Sequence, residues 1–217
     1  MVFSKIKRLF GSKSIEDPKL KILNQGFGHY LSKQMGSSID ENMEVLPWFT
    51  YPAIEFLNQL DFSKSNFFEW GSGNSSKYFS KRCQSIISIE HNWNWYNQQK
   101  DSLRENQKII FANESLYPSI IEDLLVQFDV IIIDGILRNE CIERAVFHIA
   151  DDGMIIYDNS ERGPENCQIL RNQGFTQIDF SGFGPINDYT WTTSIFFKRF
   201  KFKPISIQPI IPIGGGY

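Results

Sequence analysis

The sequence predicts an α/β fold: a doubly wound sheet of about seven strands, mostly parallel, with an antiparallel last strand. Three observations carry this. From residue 66 onward, short apolar runs rich in β-branched residues alternate with helical patterns. The run FDVIIIDG, Phe128 to Gly135, is continuously apolar, as a strand buried on both faces of a parallel sheet should be. The last two runs, FTQIDF and TTSIFFKRF, stand too close together for a helical crossover, so they should pair antiparallel.

Residues 1–46 are polar, glycine-punctuated and weakly periodic, and read as a helical or irregular N-terminal extension. Within MVFSKIKRLFGSK, Phe3, Ile6, Leu9 and Phe10 fall near helical spacing among Lys5, Lys7 and Arg8. Such a helix suits an anionic membrane surface, but its length is marginal for that use. It is expected to dock on its own domain or on a second subunit, a homodimer being one outcome, or to fray. The main domain spans 47–200. In LPWFTYPAIEFLNQL a helix starts near Pro52, capped by Thr50 or Tyr51, with Ala53, Ile54, Leu57 and Leu60 on one face. NFFEW, SIISIE, KIIFAN, FDVIIIDG and GMIIYDN are five successive strands. Between the last two lies a helix carrying Ile142, Ala145, Val146 and Ile149, stopping before Gly153. Residues 201–217 form an extended tail rich in proline and glycine.

Aromatic residues make up 15% of the chain, which argues for a packed core and against disorder. A net charge of −3, with no basic stripe on the catalytic edge, gives no reason to expect a nucleic-acid partner. Cys83, Cys141 and Cys167 are an odd, unpaired set, read as reduced thiols of a cytoplasmic protein. No apolar run approaches the roughly 18 residues of a membrane span, so no transmembrane segment is expected.

In open parallel sheets, ligands bind at the carboxyl ends of the strands. The chemically interesting residues here fall on that edge. FFEWGSGNSS puts Gly71 and Gly73 directly after the first strand. Alone, such a pair is either a plain turn or a place where a ligand approaches bare backbone. The second strand ends in Glu90, nineteen positions after Gly71, where an acid accepts ribose hydroxyls in nucleoside-binding βαβ units. Its plainer alternative is a solvated charge. Ser76 stands where a dinucleotide site would place its third glycine, and Glu69 would repel a pyrophosphate. A carboxylate there suits a ligand carrying positive charge.

Glu69-Trp70-Gly71-Ser72-Gly73 resembles the first motif of class I S-adenosylmethionine-dependent methyltransferases, and Glu90 their second-strand acid. The likeness covers about residues 48 to 200 and implies a Rossmann-like sheet that binds S-adenosylmethionine (SAM). It implies that Glu69, Gly71 and Gly73 surround the methionine moiety, helped by Ser75 or Ser76, and that Glu90 holds the ribose. His91 lies against the adenine or is a packing residue. Thr50 and Tyr51 stand where such enzymes close over the cofactor's carboxylate.

Methyl transfer needs acceptor and methyl held in line, and often a proton removed. Asp134 ends the fourth strand, and Asp158-Asn159 the fifth. Three such oxygen donors suit Mg²⁺. They resemble the acid and acid-amide pair of catechol-type, metal-dependent O-methyltransferases. Those enzymes carry a lysine base three residues beyond the first acid, where this chain has Leu137 followed by Arg138. Arginine stays protonated, so Arg138 is an anchor and not a base. The competing reading has Asp134 bond substrate directly while Asp158-Asn159 caps a loop. Arg138 and Arg162 leave room for an acidic or polyhydroxylated acceptor, with Tyr189 and Trp191 as pocket walls. The expectation is O-methylation of a small polar acceptor. A non-catalytic cofactor- or partner-binding relative is the alternative.

Overall fold

The computed structural model describes residues 18–206 and 211–215. The basic helix expected over residues 3–10 lies outside the described residues. The elements run α1 Pro18–Lys21, a π-helical turn Ile22–Gly26, α2 His29–Met35, α3 Tyr51–Asn58, β1 Asn66–Trp70 and α4 Asn74–Ser80. Then follow β2 Ser85–Glu90, α5 Trp93–Gln99, β3 Gln107–Phe111, β4 Phe128–Ile133, α6 Arg138–His148 and β5 Ile149–Asp158. The chain ends with α7 Pro164–Asn172, β6 Thr176–Gly182 and β7 Trp191–Phe197.

Among the described residues the strands form one seven-stranded sheet in the order β3-β2-β1-β4-β5-β7-β6. The first five are mutually parallel, and β7 runs antiparallel to both β5 and β6. The expected hairpin is therefore present, but its return strand inserts beside β5 and leaves β6 at the edge.

Side chains alternate across a strand, so each central strand must supply apolar residues to two faces. Phe67, Val130, Ile132, Met154 and Ile156 enter one core with Ala53, Ile54 and Leu57 of α3 and Phe79 of α4. Phe68, Trp70, Ile131, Ile133 and Ile155 enter the other, with Cys141, Ile142 and Ala145 of α6 and Leu170 of α7. This two-sided demand explains the unbroken apolar run in β4. The three cysteines are free and buried.

One cap is as expected but bonds differently, and one boundary differs from expectation. Thr50 is the N-cap of α3, yet its hydroxyl donates to the Phe180 carbonyl at 2.8 Å, tying the helix start to β6. Helix α6 stops at His148, and Ile149 begins β5 by pairing with Phe128. Strand pairing prevails there over the helical spacing of Ile149. No helix among the described residues is long and apolar enough to cross a membrane.

Phe79 is fully buried, its ring centroid 4.9 Å from that of Phe67, 5.0 Å from Tyr78 and 5.9 Å from Phe62. Phe79→Ala should cost about 3–5 kcal/mol of unfolding free energy. Urea melts should show the midpoint falling with an unchanged slope; a loss under about 1 kcal/mol would mean that the ring cluster repacks.

Candidate active site

A cavity of about 510 Å³ opens at the carboxyl ends of β1, β4 and β5. Its floor comes from Glu69, Gly71, Gly73 and Ser75, one side from Asp134, Arg138, Asp158 and Asn159, and the other from aromatic residues. The loops around it hold three non-glycine residues in left-handed backbone: Leu137, Asn159 and Ile186. Asparagine tolerates this, but for β-branched Ile186, at φ 72°, it is strain. The Asn187 N–H closes a tight turn onto the Pro185 carbonyl at 2.8 Å and holds Ile186 in the cavity wall.

The two glycines have different reasons. Gly71 has φ +105°, and a Cβ there would lie 3.2 Å from the Asp134 carbonyl oxygen. Its N–H donates to Ile89 at 2.9 Å, while the Asp134 N–H donates to Trp70 at 3.1 Å. Gly71 thus lets three strand ends converge. Gly73 is in extended backbone that any residue adopts, and a Cβ there would meet only Trp95, at 3.9 Å. The fold does not require glycine at 73; the open space beside it belongs to the cavity.

Glu69 is almost completely buried. Ser75 donates to one carboxylate oxygen, and Ser76 and Ser88 to the other, Ser88 at 2.8 Å. Burial pushes its pKa up to about 7, although the three hydroxyls pull it down. Ser76 also accepts the Gly73 N–H at 3.1 Å, starting α4. One acid therefore ties together β1, α4 and β2.

Glu90 and His91 stand elsewhere. The Glu90 carboxylate accepts from the Ser72 hydroxyl at 2.7 Å and from the Asn92 N–H at 2.7 Å, and neither Glu90 nor His91 is part of the cavity wall. His91 packs edge-on to Tyr117, with ring centroids 5.7 Å apart. Ser72 itself reaches the cavity, and the Trp95 indole donates to its carbonyl at 2.8 Å. Thr50 and Tyr51 lie in the core, not on the cavity.

Asp134, Arg138, Asp158 and Asn159 do come together. Arg138 starts α6 and folds back over the strand ends. Its guanidinium donates to Asp134 Oδ1 at 3.0 Å, the Gly135 carbonyl at 2.8 Å and the Asp158 carbonyl, with Asn159 Oδ1 at 3.5 Å. Desolvation pushes Asp134 up to about 6 against the pull of Arg138. Burial, reinforced by the charge of Asp134, raises Asp158 well above the usual carboxylate range. Asp158 Oδ1 accepts from Trp191 Nε1 at 3.0 Å and Thr193 Oγ1 at 2.5 Å.

This donor set does not fit a hard divalent cation. The oxygens of Asp134 and Asn159 face a guanidinium already in place, and an oxygen of Asp158 serves an indole and a hydroxyl. Among the described residues no three His, Cys, Asp or Glu side chains gather as metal ligands would. Arg138 thus stands at the Asp134 and Asn159 oxygens that the sequence reading offered, together with Asp158, to Mg²⁺.

Sequence reasoning missed Trp48, Trp95, Ser37 and Ser38, all on the cavity wall. Asn74 at the start of α4 donates to the Ser38 carbonyl at 2.9 Å, drawing the segment read as an extension against the glycine loop. Nothing local marks Ser38. Trp95 sits in the first turn of α5, just past the second-strand acid and capped by Asn92, and that position was a usable signal.

No protein-family model matches the chain, and no curated protein sequence matches it. Solved structures do. An rRNA methylase from Streptococcus thermophilus aligns with TM-score 0.53 at 14% identity, over 69% of this chain and 98% of that one. A precorrin-6y C5,15-methyltransferase from Geobacter metallireducens aligns with TM-score 0.53 at 14% identity, over 67% and 85%. SMU.1697c of Streptococcus mutans, assigned as a methyltransferase and solved in complex with SAH, aligns with TM-score 0.51 at 12% identity, over 65% and 93%. At such identities the likeness establishes the fold: this chain has the Rossmann-like α/β fold of SAM-dependent methyltransferases, with antiparallel β7 beside β5.

The two glycines should separate by mutation. Gly71→Ala should lower stability by at least about 1 kcal/mol, through strain and the clash with Asp134. Gly73→Ala should leave the unfolding free energy within about 0.5 kcal/mol of wild type yet weaken SAH binding about tenfold in calorimetry. Equal stability losses at both positions would mean that Gly73 serves the backbone alone.

Proposed function

We propose that the protein is a SAM-dependent methyltransferase that methylates an oxygen of a small polar acceptor without a metal ion. The observation that supports this best is a cavity floored by bare backbone at Gly73 and underlain by the buried carboxyl of Glu69. Glu69 and Asp134 have raised pKa values, and a ligand bearing a sulfonium and an ammonium group supplies the positive charge that favours their ionised forms. Ser72 stands between Glu90 and the cavity, so Glu90 acts on the ribose by orienting that hydroxyl.

In the reaction the acceptor oxygen attacks the methyl carbon, the carbon–sulfur bond breaks, and SAH leaves. The acceptor's proton goes to Asp134, whose pKa near 6 leaves it ionised at neutral pH yet able to take up a proton. Arg138 remains charged, holds Asp134 in place and balances its charge. Asp158, fixed by Trp191 and Thr193, orients the acceptor, which lies between the Tyr189 and Trp191 rings and the acids.

Calorimetry should show SAH and SAM binding to the wild-type protein, unchanged in EDTA and with no heat from Mg²⁺ alone. Asp134→Asn should keep SAH binding within about twofold while methyl transfer falls at least about a hundredfold, the usual scale of a lost general base. Absence of binding by either adenosyl compound contradicts the proposal. Binding with no transfer to any hydroxylated acceptor favours the non-catalytic reading.

A further inference from the structure

Beside the main cavity lies a second chamber of about 290 Å³ that shares Arg138, Asn159 and Arg162 with it. Its own walls are polar: Asn139, Tyr157, Glu165 and Asn166. Nothing in the methyl-transfer step uses it. Three features point to a ligand.

Asn166 is only 1% exposed, and its amide carries an unmet acceptor. Nδ2 donates to Asn139 Oδ1 at 2.6 Å and to the Tyr157 hydroxyl at 3.1 Å, while Oδ1 has no hydrogen-bond donor among the described residues. Buried polar atoms left without a partner are rare in folded proteins and mark an absent ligand or water. Gly163, on the chamber wall, leaves this amide its room: a Cβ there would collide with the Tyr157 hydroxyl and lie 2.9 Å from Asn166 Nδ2.

The chemistry of the walls selects the ligand. Three amides and a phenol, beside the charged Arg138, Arg162 and Glu165, offer both donors and acceptors. An anion would meet the Glu165 carboxylate on the wall and Glu161 3.5 Å from Arg162, while Arg138 spends its donors on Asp134 and two carbonyls. An apolar group would leave the amide oxygens unpaired. Many neutral hydroxyls on one ring satisfy the set. In the adjoining cavity the exposed rings of Trp48 and Tyr189 offer apolar surface on which the C–H faces of such a ring can lie.

We propose that the chamber is an outer acceptor subsite for a neutral, multiply hydroxylated ring of the sugar type. The acceptor would then extend from its reacting hydroxyl near Asp134 and Asp158, past Arg162, to Asn139 and Asn166. This rests on the methyltransferase reading for its purpose, but the subsite is testable by itself.

The test is saturation-transfer NMR of methyl glucoside and methyl glucuronide with the full chain, each with and without SAH. Ring protons of the neutral glucoside should receive transfer. Asn139→Leu, at an exposed position on the rim, and Gly163→Ala should each weaken its binding at least about fivefold, the scale of one lost hydrogen bond. SAH affinity should stay within about twofold in Asn139→Leu, which shows that the variant is folded. No transfer to the glucoside, equal transfer in wild type and Asn139→Leu, or stronger binding of the glucuronide would overturn the subsite. Failure of SAH to bind the wild-type protein would count against the methyltransferase reading, while the glucoside result would still decide the subsite.

Discussion

The site depends on one buried carboxyl. Glu69 ends β1 inside the protein, where an acid would ordinarily be too costly, and three serine hydroxyls make it tolerable. Ser75 and Ser76 come from α4 and Ser88 from β2, so satisfying this acid fixes the helix start against two strands. The same bonds set the path of the Gly71–Gly73 loop, because Ser76 also caps the Gly73 N–H. Remove the acid, and three buried hydroxyls lose their shared acceptor at the point where the loop must expose its backbone.

Charge then organises the opposite wall. Asp134 and Asp158 come close enough for the charge of one to raise the pKa of the other, and Arg138 supplies the cation that lets them share the space. A guanidinium does this with directed hydrogen bonds, reaching two carbonyls as well as a carboxylate. It organises these oxygens, yet burial still leaves Glu69 and Asp134 with raised pKa values in the free protein. A site in that state gains most from a ligand that is itself positive.

Much of the fold was legible in the sequence because local signals agree with the global packing. NFFEW and SIISIE are strands over their full length, since glycine or polar residues punctuate both ends. The α6–β5 boundary was not legible: Ile149 fits either element, and only its pairing with Phe128 decides. Among site residues, Glu69, Gly71, Gly73 and Ser75 could be found from their places after one strand, and Asp134 and Asp158 from theirs after two others. What lay beyond reading was direction. Glu90 ends its strand as expected, yet its carboxylate turns to Ser72 and Asn92, a choice set by a loop and not by position. That Leu137 stands at the lysine position, with Arg138 next to it, could be seen; that Arg138 folds back onto the strand-end oxygens could not, because those partners lie up to 21 residues away.

The linkage of Glu69 to its ligand is the most direct test of this account. A carboxyl whose pKa rises from its ordinary 4.5 to about 7 on folding favours the protonated native state. Its stability contribution is therefore full below pH 4.5 and lost as pH rises through 7, whereas a cationic ligand favours the ionised form and so tightens over the same interval. ¹³C NMR of the Glu69 carboxyl, titrated with and without SAM, reads both effects. The account requires an apparent pKa near 7 in the free protein and a clear fall when SAM is bound. A Glu69 that titrates at an ordinary carboxylate value and ignores SAM would contradict it.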